Sequence, residues 1–477
     1  MRKTVLATAI AAALALGSAN ASAQTKGTAT KADVQALEGQ MQALIERLNK
    51  LEATNVQLQT DNAELKSLAD RREAEMDYLK SQTKDLREEG AVAANEIAKV
   101  KGTDWASKIK FKGDLRVRDE NIEQERLVAD GTAATAVDAA DRNRARIRAR
   151  FGFDAKVTDT VKASLQLATG SDADPRSTNQ TLGGENTKKS IWIDQASIDW
   201  AMAQGVNLQL GKVKYPFWRP GQSMFYDGDV NPEGVAVVFD RGMFFGSTYA
   251  WWLEERYAAD PNGQNADTLM LGAQLGLKFP LLGGETRVAA HYYDLGGGEG
   301  SNPFYNGNAN GNTTVGETIG TTTTQVLAYD YNVAMLSGEV GLAAGKYPLS
   351  LWADFAQNLA SGLDEEDTAY AVGAVLGKAS NAKTWEVGLS YQSIEKDALF
   401  AQFIDSDFGD GVAGADGWVL KAGYAPVRNV TLNATYLKNQ RTICGTGTAP
   451  NNRACGAGIP EYELDYDRWQ LDVNYKF

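Results

Sequence analysis

Histidine, cysteine and proline are scarce in this sequence, and basic residues are outnumbered. The 477 residues include 1 His, 2 Cys and 11 Pro, and 48 Lys and Arg stand against 61 Asp and Glu. The net charge of −13 argues against a nucleic-acid partner, which requires a basic surface. His291 is the single histidine. Nothing in the sequence singles out a serine that could act with it as a catalytic Ser–His pair. We predict no enzyme, no cofactor and no metal site.

Long apolar runs are missing beyond the first residues of the chain. No stretch of 18 apolar residues occurs there, so no transmembrane helix is predicted. Residues 1–23 combine the basic Arg2 and Lys3 with a short apolar stretch and small residues at 21–23, which is the pattern of a secretory signal peptide. We expect this segment to be removed, a linker to follow at 24–32, and the protein to leave the cytoplasm.

The two cysteines, Cys444 and Cys455, lie in one stretch rich in glycine and asparagine. In an oxidising compartment this proximity favours a local disulfide, with two free thiols as the alternative. The loop that the bond closes is short, so we expect it to order that loop rather than to stabilise a whole domain.

Residues 33–98 carry a seven-residue repeat. Its d positions are Leu37, Leu44, Leu51, Leu58 and Leu65, and its a positions are Val34, Met41, Leu48, Asn55 and Asn62. Five such heptads with charged flanks predict a coiled coil, which ends within Gly90 and the alanine-rich segment 91–98. Because a coiled coil needs partner helices, an oligomer is expected.

From residue 105 to residue 477 the period of the pattern is two. The segment RNRARIRARF (142–151) places arginine at every second position and an apolar residue between. This alternation is typical of a β-strand, whose successive side chains point to opposite faces of a sheet. About 16 segments alternate in this way, each near the ten residues that a tilted strand needs to cross a membrane.

The connections between these segments alternate between short and long. Short turns near 156–160 and 425–429 are the first and last of seven, and long polar loops begin with 120–141. In the last segment, apolar residues alternate up to Phe477. Together these features predict an all-β transmembrane barrel of about 16 antiparallel strands, preceded by the α-helical coiled coil. A soluble β-sandwich, the alternative, does not segregate its loop lengths so regularly.

Four stretches resemble the putative-porin family of Gram-negative bacteria. They are 149–184, GKVKYPF (211–217), DGDVNPEG (227–234) and DSDFGDG (405–411). The resemblance implies a periplasmic coiled coil at 33–98 and one outer-membrane barrel at 105–477, with its long loops outside the cell. In the similar general-diffusion porins, the third long loop folds inward and narrows the pore. Such porins are usually trimers, so the resemblance implies a homotrimer, although leucine at every d position favours two helices.

Two groups of charged residues form the candidate site. The inward phase of the first two strands gives a pore-lining basic ladder of Lys110, Lys112, Arg116, Arg118, Arg144, Arg146, Arg148 and Arg150. The resemblance makes 211–234 the constriction loop, which places the acids Asp227, Asp229 and Glu233 opposite the ladder. The two groups then set up an electric field across the pore, which separates the paths of cations and anions.

Each group also has a structural alternative. The arginines can be bridged to inward acids such as Asp114 or Asp194, and the acidic segment can be an ordinary surface loop. A third acidic stretch, 405–417, offers Asp405, Asp407 and Asp410 as calcium ligands, although we expect it to be a solvated turn.

The predicted function is passive diffusion of ions and small hydrophilic solutes through a water-filled pore in the outer membrane. The alternatives are an anion-selective channel for phosphate or another oxyanion, and an envelope tether whose barrel mainly anchors the coiled coil. Expected partners are outer-membrane lipid, further copies of the chain, the solutes themselves, and peptidoglycan or another periplasmic envelope component at the coiled coil.

Overall fold

A computed structural model of the chain describes residues 31–99, 107–130, 133–255, 267–319, 322–444 and 460–477. The chain divides into two compact units, Met1–Thr103 and Asp104–Phe477. The predicted signal peptide and Cys455 lie outside the described residues, as do residues 24–30 of the predicted linker. For Cys444 only the backbone is described, so the disulfide stays a prediction.

The first unit contains one long helix, α1 (Lys31–Lys99). It covers the predicted segment but runs on through Gly90, where the repeat led us to expect an end. One glycine costs a helix about 1 kcal/mol, and the alanines that follow favour its continuation. Four of the d-position leucines are exposed in the single chain: Leu44, Leu51, Leu58 and Leu65 are 55–65% exposed. No helix among the described residues is both long and apolar enough to cross a membrane.

The second unit is a closed antiparallel β-barrel of 16 strands. Its strands are β1 (Ile109–Asp130), β3 (Arg142–Lys156), β4 (Val161–Thr169), β6 (Ile191–Ala203), β7 (Val206–Lys212), β8 (Glu233–Arg241), β9 (Phe244–Glu254), β10 (Thr268–Leu281), β11 (Gly283–Gly296), β14 (Tyr331–Ala344), β15 (Tyr347–Asn358), β16 (Thr368–Gly377), β17 (Thr384–Ile394), β18 (Ala415–Val427), β19 (Val430–Cys444) and β20 (Glu461–Lys476). The predicted strand number and antiparallel order are confirmed.

Each barrel strand pairs with the barrel strand that follows it, and β20 pairs with β1 to close the ring. At this seam the register runs from Asp114 opposite Lys476 to Gln124 opposite Tyr466. Closure leaves no strand edge unpaired, which is what a sheet surrounded by hydrocarbon requires.

The loops contain four short strands and a one-turn helix. They are β2 (Ala133–Asp138), β5 (Gln180–Thr181), β12 (Thr314–Ile319), β13 (Thr322–Leu327) and the one-turn helix α2 (Phe304–Gly307). The seven short turns lie at one rim of the barrel and the long loops at the other, as predicted. One predicted loop, 120–141, was wrong, because β1 continues to Asp130 and pairs there with β2 and β20. Residues 125–130 pair along one edge with β2, and these backbone hydrogen bonds keep the polar segment extended.

The outward face of the barrel is apolar. All ten side chains that the sequence places on this face lie in the outward phase and are partly or fully exposed: Ile147, Phe151, Leu165, Leu167, Leu271, Leu275, Leu277, Leu432, Leu471 and Val473. Exposed aromatic residues lie toward both strand ends: Phe111, Trp200, Phe244, Tyr424 and Tyr475 near the short turns, and Trp252, Tyr292, Phe355, Trp418 and Trp469 toward the long loops. Aromatic residues at both borders of an apolar band are typical of outer-membrane barrels.

Four long loops fold into the barrel interior: L2 (170–190), L3 (213–232), L5 (297–330) and L7 (395–414). A buried aromatic core on one side of the lumen is formed by L3, L5, L7 and the inward faces of β9 to β17. It includes Phe217, Tyr226, Tyr249, Trp251, Tyr293 and Phe400. His291 points inward as predicted, but it is buried in this core, with Nε2 2.8 Å from the Tyr249 hydroxyl. The open part of the lumen is therefore displaced toward β18, β19, β20, β1 and β3.

Candidate functional site

A cavity of about 510 Å³ occupies the open side of the lumen. Strands β1, β3, β18, β19 and β20 form one wall of the cavity, and L2, L3 and L7 form the other. Eight cationic and six acidic side chains line the cavity. Amides and hydroxyls such as Asn433 and Thr435 lie between the charges. A water-filled passage needs such polar walls, and this cavity is the candidate functional site.

The basic ladder is only partly in the cavity wall. Four of its members, Arg116, Arg118, Arg148 and Arg150, line the cavity. The other four do not: Lys110 is exposed at the start of β1, Lys112 pairs with Asp154, and Arg144 and Arg146 lie toward the long-loop end of β3.

Two of the cavity arginines share one carboxylate. Arg148 Nε and Arg150 Nε donate to the two oxygens of Asp114 at 2.9 and 2.7 Å. Both guanidinium groups also approach Asp229 Oδ1, at 3.7 and 3.4 Å. The register aligns these groups, since Asp114 on β1 lies directly opposite Arg150 on β3. The charge of the basic wall is therefore largely neutralised at this level.

Nearer the long loops, Glu120 neutralises Arg144 and Arg146 of β3. It accepts a hydrogen bond from Arg144, lies 3.7 Å from Arg146, and accepts from Arg468 Nη2 at 2.7 Å. The glutamate side chain is completely enclosed. Asp194, the other inward acid considered from the sequence, instead accepts hydrogen bonds from Gln166 and Asn231.

Two of the three predicted constriction acids, Asp227 and Asp229, line the cavity, and Glu233 does not. Asp227 is buried at the contact between L3 and L7, and Asp229 lies against Arg150 and Thr178. Glu233 was wrongly placed at the constriction: it is the first residue of β8, is mostly exposed, and pairs with Lys212 at 2.9 Å. Its pairing with Lys212 in the β7–β8 register holds Glu233 at the end of the sheet.

L3 and L7 are joined by backbone hydrogen bonds around two acids. The Asp227 N–H donates to the carbonyl of Phe403 at 2.7 Å, and the Asp405 N–H donates to the carbonyl of Met224 at 3.1 Å. The Asp227 carboxyl accepts from the N–H of Ser406 at 2.8 Å. Burial, and then the charge of Asp405, raise the pKa of Asp227 well above its ordinary value. Burial, and then Asp407, raise the pKa of Asp405 to about 6.

The stretch 405–417 is neither a solvated turn nor a cluster of cation ligands. Burial acts to raise the pKa of Asp407, but Arg468 and Arg118 outweigh it and lower this pKa far below its ordinary value. Asp410 pairs with Arg441 at 3.0 Å. Apolar residues between the acids, such as Phe408, are fully buried, which draws the whole segment into the barrel. In the described part of the chain, no group of three or more potential ligands could hold a metal ion.

Sequence reasoning missed several residues of the site. Arg176 of L2 donates to the carbonyls of Ala401 and Gly411 in L7 and to Asn310 in L5, so it joins three loops. Lys421 of β18 and Lys214 of L3 line the cavity. Lys421 lies in the inward phase of its strand, so the alternation of residues in β18 could have identified it as a lumen residue. The contacts of Arg176 and Lys214 depend on how the loops fold, which the sequence pattern does not show.

Comparisons with known proteins give one family match and several similar solved structures. A family model described as "Putative porin" matches residues 123–326 and 321–477. Curated protein sequences give no match. Among solved structures, the chain is similar to OprB of Pseudomonas putida, with a TM-score of 0.46 and 13% identity over 79% of this chain and 96% of that one. It is also similar to the outer membrane channel DcaP of Acinetobacter baumannii (TM-score 0.44, 13% identity, 77% and 97% covered) and to OmpT of Vibrio cholerae in its trimer form (0.41, 13%, 77% and 99%).

Proposed function

Since the chain belongs to the putative porin family, we propose that it forms a water-filled pore through which ions and small hydrophilic solutes diffuse passively across the outer membrane. The family and the fold point to an outer-membrane channel rather than to an enzyme. The long loops then lie outside the cell and the short turns face the periplasm, as does the helix α1.

The observation that carries this proposal is the polar cavity inside a closed barrel. Its walls hold charged, amide and hydroxyl groups, whereas the outer face of the same strands is apolar. Because the aromatic core fills the other side of the lumen, the passage is confined to the wall formed by β18, β19, β20, β1 and β3. We therefore expect a narrow pore that admits small solutes and excludes large ones.

Charge is arranged asymmetrically across this passage. Arginines dominate the strand wall, and the acids Asp227, Asp229 and Asp405 lie on the loops opposite. The ion pairs to Asp114 and Glu120 weaken the predicted field without abolishing it, because the cationic side chains still outnumber the acidic ones in the lining. A mild preference for anions follows.

The proposed assembly is a homotrimer held partly by a parallel coiled coil of α1. The observation that favours self-association is the exposed leucine stripe, which no residue of the described chain covers. Burying it against copies of itself removes apolar surface from water, at about 25 cal/mol per Å². Chemical cross-linking of detergent-extracted protein should give a trimer band, and a series that ends at a dimer would reject the trimer.

The pore is tested by swelling of liposomes that contain the purified protein. Sugars of increasing size provide the solutes, and the rate of swelling reports their entry. We expect arabinose-sized solutes to enter and oligosaccharides to be excluded. If no solute enters liposomes that contain folded protein, the barrel does not conduct and the proposal fails.

A further inference from the structure

We propose that the cavity contains a saturable binding site for a small oxyanion, formed by Arg116, Lys421 and Lys214. The proposal rests on the pore proposed above and adds to it a ligand class and a set of residues. The pattern of ion pairs carries the argument, because it separates the cations that are already neutralised from those that are not.

Most cavity arginines are neutralised by carboxylates. Arg118 binds both oxygens of Asp472, and Arg148 and Arg150 share Asp114. A guanidinium whose donors are occupied in this way has little left to offer to a passing solute. These three arginines are therefore part of a structural wall, and a binding site must use the remaining cations of the cavity.

Arg116 is the exception within the ladder. Its Nε donates to Asn474 Oδ1 at 2.9 Å and lies 3.7 Å from Asp472 Oδ2, a carboxylate that Arg118 already engages. Its two terminal nitrogens have no hydrogen-bond partner among the described residues. The bond to Asn474 engages Nε alone, so the terminal donors of Arg116 are available to a solute in the cavity that this residue lines.

Lys421 is a second available cation, and it lines the cavity from β18 rather than from β1. It lies in the inward phase of β18 and lines the same cavity. No carboxylate oxygen of the described chain lies within 4.0 Å of its Nζ. Asp405 and Asp407 of L7 line the same cavity, but beyond that distance.

Lys214 supplies the third cation, from the loop wall. It is exposed to the cavity and, within the described residues, has no carboxylate partner inside 4.0 Å. Burial, and then the charges of Arg150 and Lys112, lower its pKa. An anion in the cavity would relieve this repulsion.

The geometry favours a small oxyanion over a simple halide. The three cations line one cavity from β1, β18 and L3, so a ligand with several oxygens can contact more than one of them there. Amide and hydroxyl groups in the same wall, such as Asn433 and Thr431, offer neutral donors between the cations. Conduction also requires that the ligand leave again, and the acids Asp405 and Asp407 in the same lining keep the binding weak.

The experiment is a single-channel titration of the full chain with inorganic phosphate in potassium chloride at pH 7. Phosphate that occupies the site blocks chloride current, so the conductance should fall along a saturating curve. Arg116→Met and Lys421→Met should each raise the half-blocking concentration about tenfold, the loss of one charge-assisted contact. Lys214→Met, on a loop where folding is least affected, should shift the curve in the same direction.

The matched control is Lys110→Met, which removes the same charge from the same wall but outside the cavity. It should leave the blocking curve unchanged. A channel that conducts chloride without saturable block by phosphate, or a block that Lys421→Met and Lys214→Met leave intact, overturns the site while the pore stands. If no variant and no wild-type protein conducts, the pore itself is wrong.

Discussion

Arg118 and Asp472 form a two-point ion pair across the seam where the last strand of the barrel meets the first. Arg118 Nε donates to Asp472 Oδ1 at 2.7 Å and Nη2 donates to Oδ2 at 3.0 Å. Each side chain is only 6% exposed. The two residues are direct partners in the β1–β20 register, so the pair joins segments that are 354 residues apart in the sequence.

Breaking this pair should destabilise the closed barrel. Asp472→Asn removes one of the two carboxylates that Arg118 contacts, and Asp407 remains 3.0 Å away. The expected loss is therefore that of a hydrogen bond to a charged group, about 1.5–3 kcal/mol. Urea unfolding in phospholipid vesicles measures the free energy of unfolding. Asp154→Asn breaks the more exposed pair with Lys112 and should cost less than about 1 kcal/mol. Equal losses in the two variants would contradict a special role for the seam.

The outward face gives a second prediction. Leu275→Arg places a charge at a position that is 58% exposed and lies in the middle of β10. An arginine at the bilayer midplane costs a barrel about 2–4 kcal/mol, so the folded yield in vesicles should fall. The control is Leu282→Arg at a short turn, where the leucine is 72% exposed and an arginine reaches water. If Leu275→Arg assembles as well as the control, the assignment of the lipid face is wrong.

The contact between L3 and L7 should depend on pH through Asp405. Its pKa is raised to about 6 in the folded protein, so the protonated form stabilises the contact. That stabilisation is complete below about pH 4 and is lost as the pH rises through about 6. The charged groups that face this carboxyl are Asp227, Asp407, Lys421 and Arg468.

Hydrogen exchange at pH 5 and pH 8, corrected for intrinsic rates, measures this effect. Amides of L3 and L7 should be less protected at pH 8 in the wild type and equally protected at both values in Asp405→Asn, which cannot ionise. Asp364→Asn, at an exposed position between β15 and β16, serves as the control and should behave like the wild type. A pH dependence that survives in Asp405→Asn would assign it to another group.

The disulfide between Cys444 and Cys455 remains a prediction from the sequence. Under non-reducing conditions a thiol reagent should label neither residue, and after reduction it should label both. Because the loop between them is short, reduction should leave the free energy of unfolding of the barrel nearly unchanged. Labelling without reduction would show that the two thiols are free.

The sequence predicts the barrel well. The alternation of apolar and polar residues shows which face of each strand points outward, and the alternation of short and long connections shows which rim each strand end lies at. The positions of Leu275 and Leu471 follow from period two alone. The inward loops are different: whether Asp405 meets solvent or Asp227 depends on contacts between segments about 180 residues apart. The pairing of Arg148 with Asp114 was predicted only as an alternative. The alternation of residues shows whether a side chain faces into or out of the barrel, but it does not show which residue of the adjacent strand lies opposite. No pattern in the sequence indicates that Lys214, a loop residue, lines the cavity.

The most direct test of the account is the single-channel current of the purified protein in a planar bilayer, with one tryptophan placed on either face of β19. Asn433 lines the cavity and Leu432 faces outward on the same strand. We predict ohmic current steps in the wild type, a clear reduction of the conductance in Asn433→Trp, and unchanged conductance in Leu432→Trp. The absence of current steps in the folded wild type, or steps that Asn433→Trp leaves unchanged, would contradict a pore that runs through this cavity.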